Sequence, residues 1–372
     1  MDFKELIKKI GSKNLIMIGI GFMVLIFFII GGSLLYYNFF YKKSFSEIED
    51  IMLTSARQYY DKNPNLLPQN NGEDSEVQVS TLVNKEYMKD IASYVKDEDI
   101  ACKASVKVTK ANKTYRYTPL LDCGKYYNYK FFSNVVKSRE KVVTEGAGLY
   151  DNAGELVYRG EKVRNYVKFA GYNWRIIKIV NDNVMLIYNN KDDIADARWD
   201  DRYNKERQDN SGINDYTVSR IRDYLNSLYN NDKFFSNTNK ELLTNFDLYI
   251  GKVSETEDAR NREIERSSVL ANQYIGLVTI GDFMTASLDN DCITATSPSC
   301  SNYNYIANYD YTFHSITGSK EESYSVYEID ENMGAFTSLT SDLGSVRPVI
   351  SISKNALYVS GNGTKKKPYT FR

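Results

Sequence analysis

Histidine is nearly absent: the 372-residue chain holds one, His314. A site built on two or more imidazoles, which covers most zinc enzymes, is therefore excluded. Cysteine is scarce as well, with Cys102, Cys123, Cys292 and Cys300 and no Cys-x-x-Cys pair among them. Charge of one sign is lacking, since 47 Lys+Arg face 48 Asp+Glu and the formal net charge is −1. Nucleic-acid binding draws on a basic excess or stripe, so that class of partner has no support. No Gly-x-Ser-x-Gly, P-loop or Gly-x-Gly-x-x-Gly pattern occurs, which leaves nucleotide chemistry without a motif. Tryptophan is limited to Trp174 and Trp199, against 31 tyrosines. Hydrophobic residues still make up 42%, too many for a disordered chain with so little net charge.

What is present begins with a run free of charge. Residues 14–41 contain the stretch LIMIGIGFMVLIFFIIGGSLLYY. A helix rises about 1.5 Å per residue, so roughly 20 apolar residues cross a hydrocarbon core of about 30 Å. The run exceeds the apolar stretch of a cleaved signal peptide. It ends in Tyr36, Tyr37, Phe39, Phe40 and Tyr41, an aromatic belt suited to a membrane interface. An uncleaved single-pass anchor in the cell membrane is expected. Lys4, Lys8, Lys9 and Lys13 precede the run and only Lys42 and Lys43 follow it, which keeps the N-terminus cytoplasmic and puts the bulk of the chain outside. All four cysteines follow the run. An oxidising compartment stabilises disulfides, and the sequence neighbours Cys102–Cys123 and Cys292–Cys300 are the expected pairs. A catalytic thiol would need a base partner, and His314 is the only imidazole available.

Residues 44–60, SFSEIEDIMLTSARQYY, repeat Ile48, Ile51, Met52, Ser55, Ala56 and Tyr59 at helical spacing. No proline or glycine separates them from the apolar run, which predicts one continuous helix. A short helix opened by Ser80 follows. Between Cys102 and Cys123, alternating Val106, Val108, Tyr115 and Tyr117 predict a β-hairpin. Residues 126–160 are polar and glycine-punctuated and read as a linker or a short hairpin entering the next domain. Strands are expected at Tyr166–Phe169, Trp174–Val180 and Val184–Tyr188, with Arg175 pointing outward, and a helix near 218–228 capped by Asn214 or Asp215. The class is α+β, divided as tail 1–13, transmembrane helix 14–41, extracellular module 42–125, linker 126–160 and distal domain 161–372.

Two resemblances bear on these parts. A membrane helix that continues outward, a short Leu-Val helix and a cysteine-clipped meander, over roughly residues 15–125, resemble a type IV pilin or pseudopilin. Gly21-Phe22 is present, but no Glu follows inside the apolar run as it does in processed pilins. The phrases NYVKFAGYNWRIIKI, YLNSLY, IGLVTIGDFMTAS, SVRPVISI and SGNGTKKKPY, over roughly residues 150–372, resemble an uncharacterised domain of exported proteins of low-GC Gram-positive gut bacteria. Its strand pattern is similar to C-type-lectin-like folds. The resemblance implies no particular reaction.

Candidate binding residues lie in SNYNYIANYDYTF, where Tyr303, Tyr305, Tyr309 and Tyr311 recur mostly at period two, and in the polar stretch around Trp199. An aromatic face of this kind stacks on sugars or peptides, while a half-buried tyrosine strand is the more ordinary outcome. Adjacent carboxylates such as Asp200-Asp201 and Glu321-Glu322 do not make a hydrolytic pair, because strand neighbours face opposite ways. Asp289, Asn290 and Asp291 lack the calcium-loop spacing. No metal or cofactor is expected. The function expected is non-enzymatic: a surface-displayed adhesion protein for a glycan, a peptide or another surface protein. The alternatives are a surface hydrolase using paired carboxylates and a minor pseudopilin-like subunit of a secretion or uptake machine.

Overall fold

In the computed structural model the described residues are 43–95, 100–111, 113–191 and 193–372, with Met23 and Ile26. The expected span at 14–41 lies outside them apart from those two residues. Among the described residues no helix is long and apolar enough to cross a membrane.

Helix α1 (Phe45–Lys62) corrects the expectation of one helix continuing from the apolar run. Ser44 sits at φ −69° and ψ 157°, outside helical space. Its hydroxyl accepts the Glu47 N–H at 3.3 Å, and the Glu47 carboxylate accepts the Ser44 N–H at 2.8 Å. This Ser-x-x-Glu box satisfies the orphan donors of a helix start, so a new helix begins there. Its face of Ile48, Met52, Ala56, Tyr59 and Tyr60 is buried. That face packs on an antiparallel sheet of β1 (Asp74–Gln78), β2 (Lys103–Ala111) and β3 (Thr114–Asp122). A short α2 (Val79–Asn84) follows β1. The Cys102–Cys123 disulfide closes the β2–β3 hairpin.

The segment expected to be a linker or a short hairpin holds α3 (Phe132–Arg139) and then β4 (Gly148–Asn152) and β5 (Glu155–Arg159), which pair as an antiparallel hairpin. Phe132, Val135, Val136, Leu149 and Tyr158 sit in the large core, so its apolar residues outweigh its glycines. Strands β6 (Tyr166–Phe169), β7 (Tyr172–Val180) and β8 (Asn183–Tyr188) follow, close to their expected positions. With β10 (Leu243–Thr244) and β17 (Val349–Ile352) they build a seven-stranded sheet, ordered β10-β17-β8-β7-β5-β4 with β6 also on β7. Consecutive residues of a strand face opposite ways. Ile176, Ile177 and Ile179 of β7 are all buried, so both faces of the sheet are covered.

A second antiparallel sheet joins β13 (Phe313–Gly318), β14 (Ser325–Asp330) and β15 (Gly334–Leu339). Two-stranded ribbons pair β9 (Ala197–Arg198) with β16 (Leu343–Gly344), β11 (Phe246–Tyr249) with β12 (Val269–Gln273), and β18 (Tyr358–Ser360) with β19 (Thr370–Phe371). The remaining helices are α4 (Arg220–Asn230), α5 (Asn237–Glu241), α6 (Arg262–Arg266) and α7 (Ile280–Ala286). Ser219 caps α4; Asp215 caps the short turn before it, and Asn214 is buried, donating to the carbonyls of Ser319, Glu322 and Ser325. Cys292–Cys300 is the second disulfide.

The α+β class is corrected by this inventory. Among the described residues nineteen strands stand against seven α-helices, of which only α1 and α4 exceed eight residues. The fold is sheet-rich because short β-branched and aromatic runs, punctuated every few residues by Asn, Asp and Gly, leave little room for helical periodicity.

Candidate functional site

Strand β7 places two cations in the interior, three residues apart. Arg175 and Lys178 are 4% and 3% exposed. The expectation that Arg175 points to solvent is corrected: from Trp174 to Ile179 every residue of the strand is buried, so both faces are covered there.

Arg175 forms the floor of a cleft of about 410 Å³. The tight turn at Ala170 and Gly171, with φ of 52° and 85°, joins β6 to β7 and sets their register. Tyr166 is thereby placed directly opposite Arg175. Its ring centroid lies 3.9 Å from the guanidinium, and Tyr305 covers another side at 5.0 Å. Arg175 also donates to the Asn165 side-chain oxygen and, at 3.1 Å, to the Tyr166 hydroxyl. The C-terminal segment supplies a wall, bringing Lys365 and Pro368 to the cleft. It is docked on β6 by the Tyr369 N–H to the Tyr166 carbonyl at 2.9 Å. Residues 308–310 form the opposite wall, tied down by the Tyr309 hydroxyl donating to the Asn190 carbonyl at 2.7 Å. Lys191 and Asp310 form an ion pair at the rim.

Beneath this wall lies Arg347, fully buried. It donates to the carbonyls of Tyr188 at 3.1 Å and Ile306 at 2.7 Å, and its guanidinium lies 4.0 Å from the Tyr309 ring and 4.4 Å from Phe313. Burial pulls its pKa down to about 9, with the Tyr309 interaction opposing and the Arg175 charge adding to the fall. Arg175 is lowered for the same first reason. Arg347 thus stays charged at neutral pH. Among the described residues neither guanidinium meets a carboxylate. Rings and neutral oxygens hold both guanidinium groups.

The expected binding residues fare unevenly. Tyr309 lines the cleft, and Tyr311 lies beside it, 6.0 Å from Tyr309 between ring centroids. Tyr305 is fully buried and serves the site only by covering Arg175. Tyr303 is 64% exposed, at a left-handed φ of 49°, and does not line the cleft. Residues 303–309 are turns rather than the expected strand, so period two has no meaning there. Buried Asn304 bends the chain: its side-chain NH2 donates to the carbonyls of Phe283 and Cys300, and its oxygen accepts the Ile306 N–H. Trp199, expected in a polar exposed stretch, is fully buried, with its indole N–H donating to the Ser315 carbonyl at 3.0 Å. Asp200 beside it is buried too, accepting from Arg202, the Ile213 N–H and the Arg220 N–H.

Sequence reasoning missed Arg175, Lys178 and Arg347. The signal was available in YNWRIIKIV, where two cations interrupt an otherwise apolar strand. Buried charges are uncommon and demand compensation.

Lys178 has a different setting from Arg175. Its ammonium lies 3.0 Å from Asp282 and 3.6 Å from Glu155, and Arg266 holds the other Glu155 oxygen at 2.8 Å. These two carboxylates are gathered in the interior, as hydrolysis would require, but both are held by cations rather than opposed across a substrate. His314 forms a third buried cluster. Its Nδ1 is 3.0 Å from a Glu328 oxygen and its Nε2 is 2.9 Å from the Ala197 carbonyl. Gly344 closes over this pair, where a Cβ would come within 2.8 Å of both. Among the described residues no group of three or more His, Cys, Asp or Glu side chains is arranged to hold a metal ion.

Comparison with known proteins returns no relative: no family model, no curated protein and no solved structure matches the chain.

Proposed function

We propose that the protein is a non-enzymatic, cell-surface binding protein, tethered through its uncharged N-terminal run, and that its ligand is an acidic glycan seated in the Arg175 cleft. The observation that carries this reading is the pair of buried guanidinium groups that meet no carboxylate among the described residues, one of which floors an open polar cleft. Burying a cation costs several kcal/mol unless an opposing charge or hydrogen bonds compensate. A ligand carboxylate at Arg175 supplies the missing charge, in a geometry suited to paired hydrogen bonds. Asn173, Asn189 and Asn308 offer amide donors and acceptors for hydroxyl groups around it. Tyr166, half-buried at the cleft, offers ring surface. Placement outside the membrane draws support from the two disulfides, which persist in oxidising compartments.

The test is calorimetric titration of the full-length protein in nanodiscs with matched acidic and neutral oligosaccharides at two salt concentrations. Binding of the acidic member alone, weakened by salt and by Arg175→Gln, is the expected result. Equal binding of both members, or acidic binding indifferent to Arg175→Gln, contradicts it.

A further inference from the structure

Lys178, Asp282 and Glu155 form a buried triad that the binding reading leaves unused. All three are more than nine-tenths buried. A bulge in β7 between Ile176 and Lys178 re-aims the lysine. Val157 of β5 pairs with Lys178, so Glu155, two residues away on the same strand, shares its face. Asp282 comes from the first turn of α7, whose Thr279 cap accepts the Asp282 N–H at 3.0 Å. Lys178 Nζ is therefore held 3.0 Å from one oxygen of Asp282 and 3.6 Å from Glu155.

We propose that Lys178 and Asp282 become joined by an intramolecular amide bond, with Glu155 carrying the proton. The ammonium first passes a proton to the Asp282 carboxylate, giving a neutral amine and a carboxylic acid. The Lys178 nitrogen lone pair then attacks Cγ of Asp282. Glu155 accepts a proton from the attacking nitrogen and delivers it to the departing hydroxyl. The C–O bond breaks, the C–N bond remains, and one water leaves. No oxidant, reductant or further reactant enters. The cleft of about 260 Å³ lined by Glu155, Lys178 and Tyr249 is the route for that water.

Two physical arguments favour the product. Condensation of an amine with a carboxylic acid is unfavourable between separate molecules in water, but groups fixed at reacting distance reach effective concentrations of about 10⁵–10⁸ M. Charge is the second. Lys178 and Asp282 are a buried ion pair, whose desolvation is costly. The amide removes both charges and leaves the Glu155–Arg266 pair in place. The bond would tie the central strand to α7 across 104 residues. Unlike the Cys292–Cys300 disulfide that follows α7, it would survive reduction, which suits a domain displayed outside the cell.

Intact-mass measurement of the full-length wild-type protein, purified folded in detergent, decides the matter. The expected mass is that of the sequence less one water and less the hydrogens lost at the two disulfides. After reduction the water deficit must remain, and a tryptic digest must contain a branched peptide joining Lys178 to Asp282. Lys178→Met and Asp282→Ala must each abolish the deficit, and Glu155→Gln must abolish it or slow its appearance. A wild-type mass explained by the disulfides alone, with ordinary tryptic cleavage after Lys178, overturns the proposal. A full deficit that appears at the wild-type rate in Glu155→Gln overturns the role given to Glu155.

Discussion

Arg175 and Lys178 sit three residues apart on one strand, equally buried, and have opposite surroundings. Lys178 is enclosed by two carboxylates that the fold itself provides. Arg175 is enclosed by a tyrosine pair, an asparagine and an open cleft. The register of β7 explains how neighbours come to differ. The bulge after Ile176 keeps both cations on one face of the sheet, but Arg175 pairs with Tyr166 of β6, near the C-terminal wall, while Lys178 pairs with Val157 of β5, near α7. The difference teaches how to read a buried charge. One whose counter-charges come from the same chain belongs to the architecture. One left with rings and amides beside a cavity, as Arg175 is, is where the proposed ligand would supply the charge.

Substitutions that exchange or remove these surroundings test that contrast. The largest effect is expected at the self-compensated site. Asp282→Ala leaves Lys178, among the described residues, with Glu155 as its carboxylate, which Arg266 already engages, and should cost about 3–5 kcal/mol of stability in thermal or denaturant melts. Lys178→Met combined with Asp282→Leu removes the stranded ammonium but not the loss of the proposed amide link, so it should recover only the part of that loss that comes from the unpaired charge. Arg347→Met comes next. It strands the carbonyls of Tyr188 and Ile306 and uncovers Tyr309, at an expected cost of about 1–3 kcal/mol, with weakened ligand binding in the same preparation.

The His314–Glu328 pair provides a smaller, chemically defined control away from both sites. Nε2 lies 2.9 Å from the Ala197 carbonyl, which favours the tautomer with its proton on Nε2, and Nδ1 lies 3.0 Å from a Glu328 oxygen. Glu328→Gln places an amide donor toward Nδ1 and should change stability by less than about 1 kcal/mol, whereas Glu328→Ala should cost about 1–3 kcal/mol. The smallest effect belongs to the rim. Lys365→Gln should leave the melting curve unchanged within about 0.5 kcal/mol and lower affinity for an acidic oligosaccharide less than Arg175→Gln does, because an exposed charge is screened.

Much of the architecture around β7 could be read from the residues. The three strands at 166–188, the β2–β3 hairpin and both disulfides follow from alternation, turn residues and cysteine spacing. The start of α1 was legible in principle, since Ser44 and Glu47 form a capping box, but the absence of Gly and Pro there carried more weight than it should. The site was less legible. Tyr309 lines the Arg175 cleft and Tyr311 lies beside it, whereas Trp199 and Tyr305 are core. Polar letters around an aromatic residue do not report its burial when those letters are themselves buried and bonded, as Asp200 and Asn304 are. Arg347 could not be placed from spacing, because it meets Tyr309 only after the chain has folded back from β16 into β17.

The most direct test compares the two cations of β7 in one binding experiment. Affinity for an acidic oligosaccharide is measured for wild type, Arg175→Gln and Lys178→Met, each checked for folding by its melting curve. The account predicts a loss of about tenfold or more for Arg175→Gln, as expected for a charge-assisted hydrogen bond, and unchanged affinity for Lys178→Met. Equal losses in both variants, or a loss confined to Lys178→Met, would contradict it.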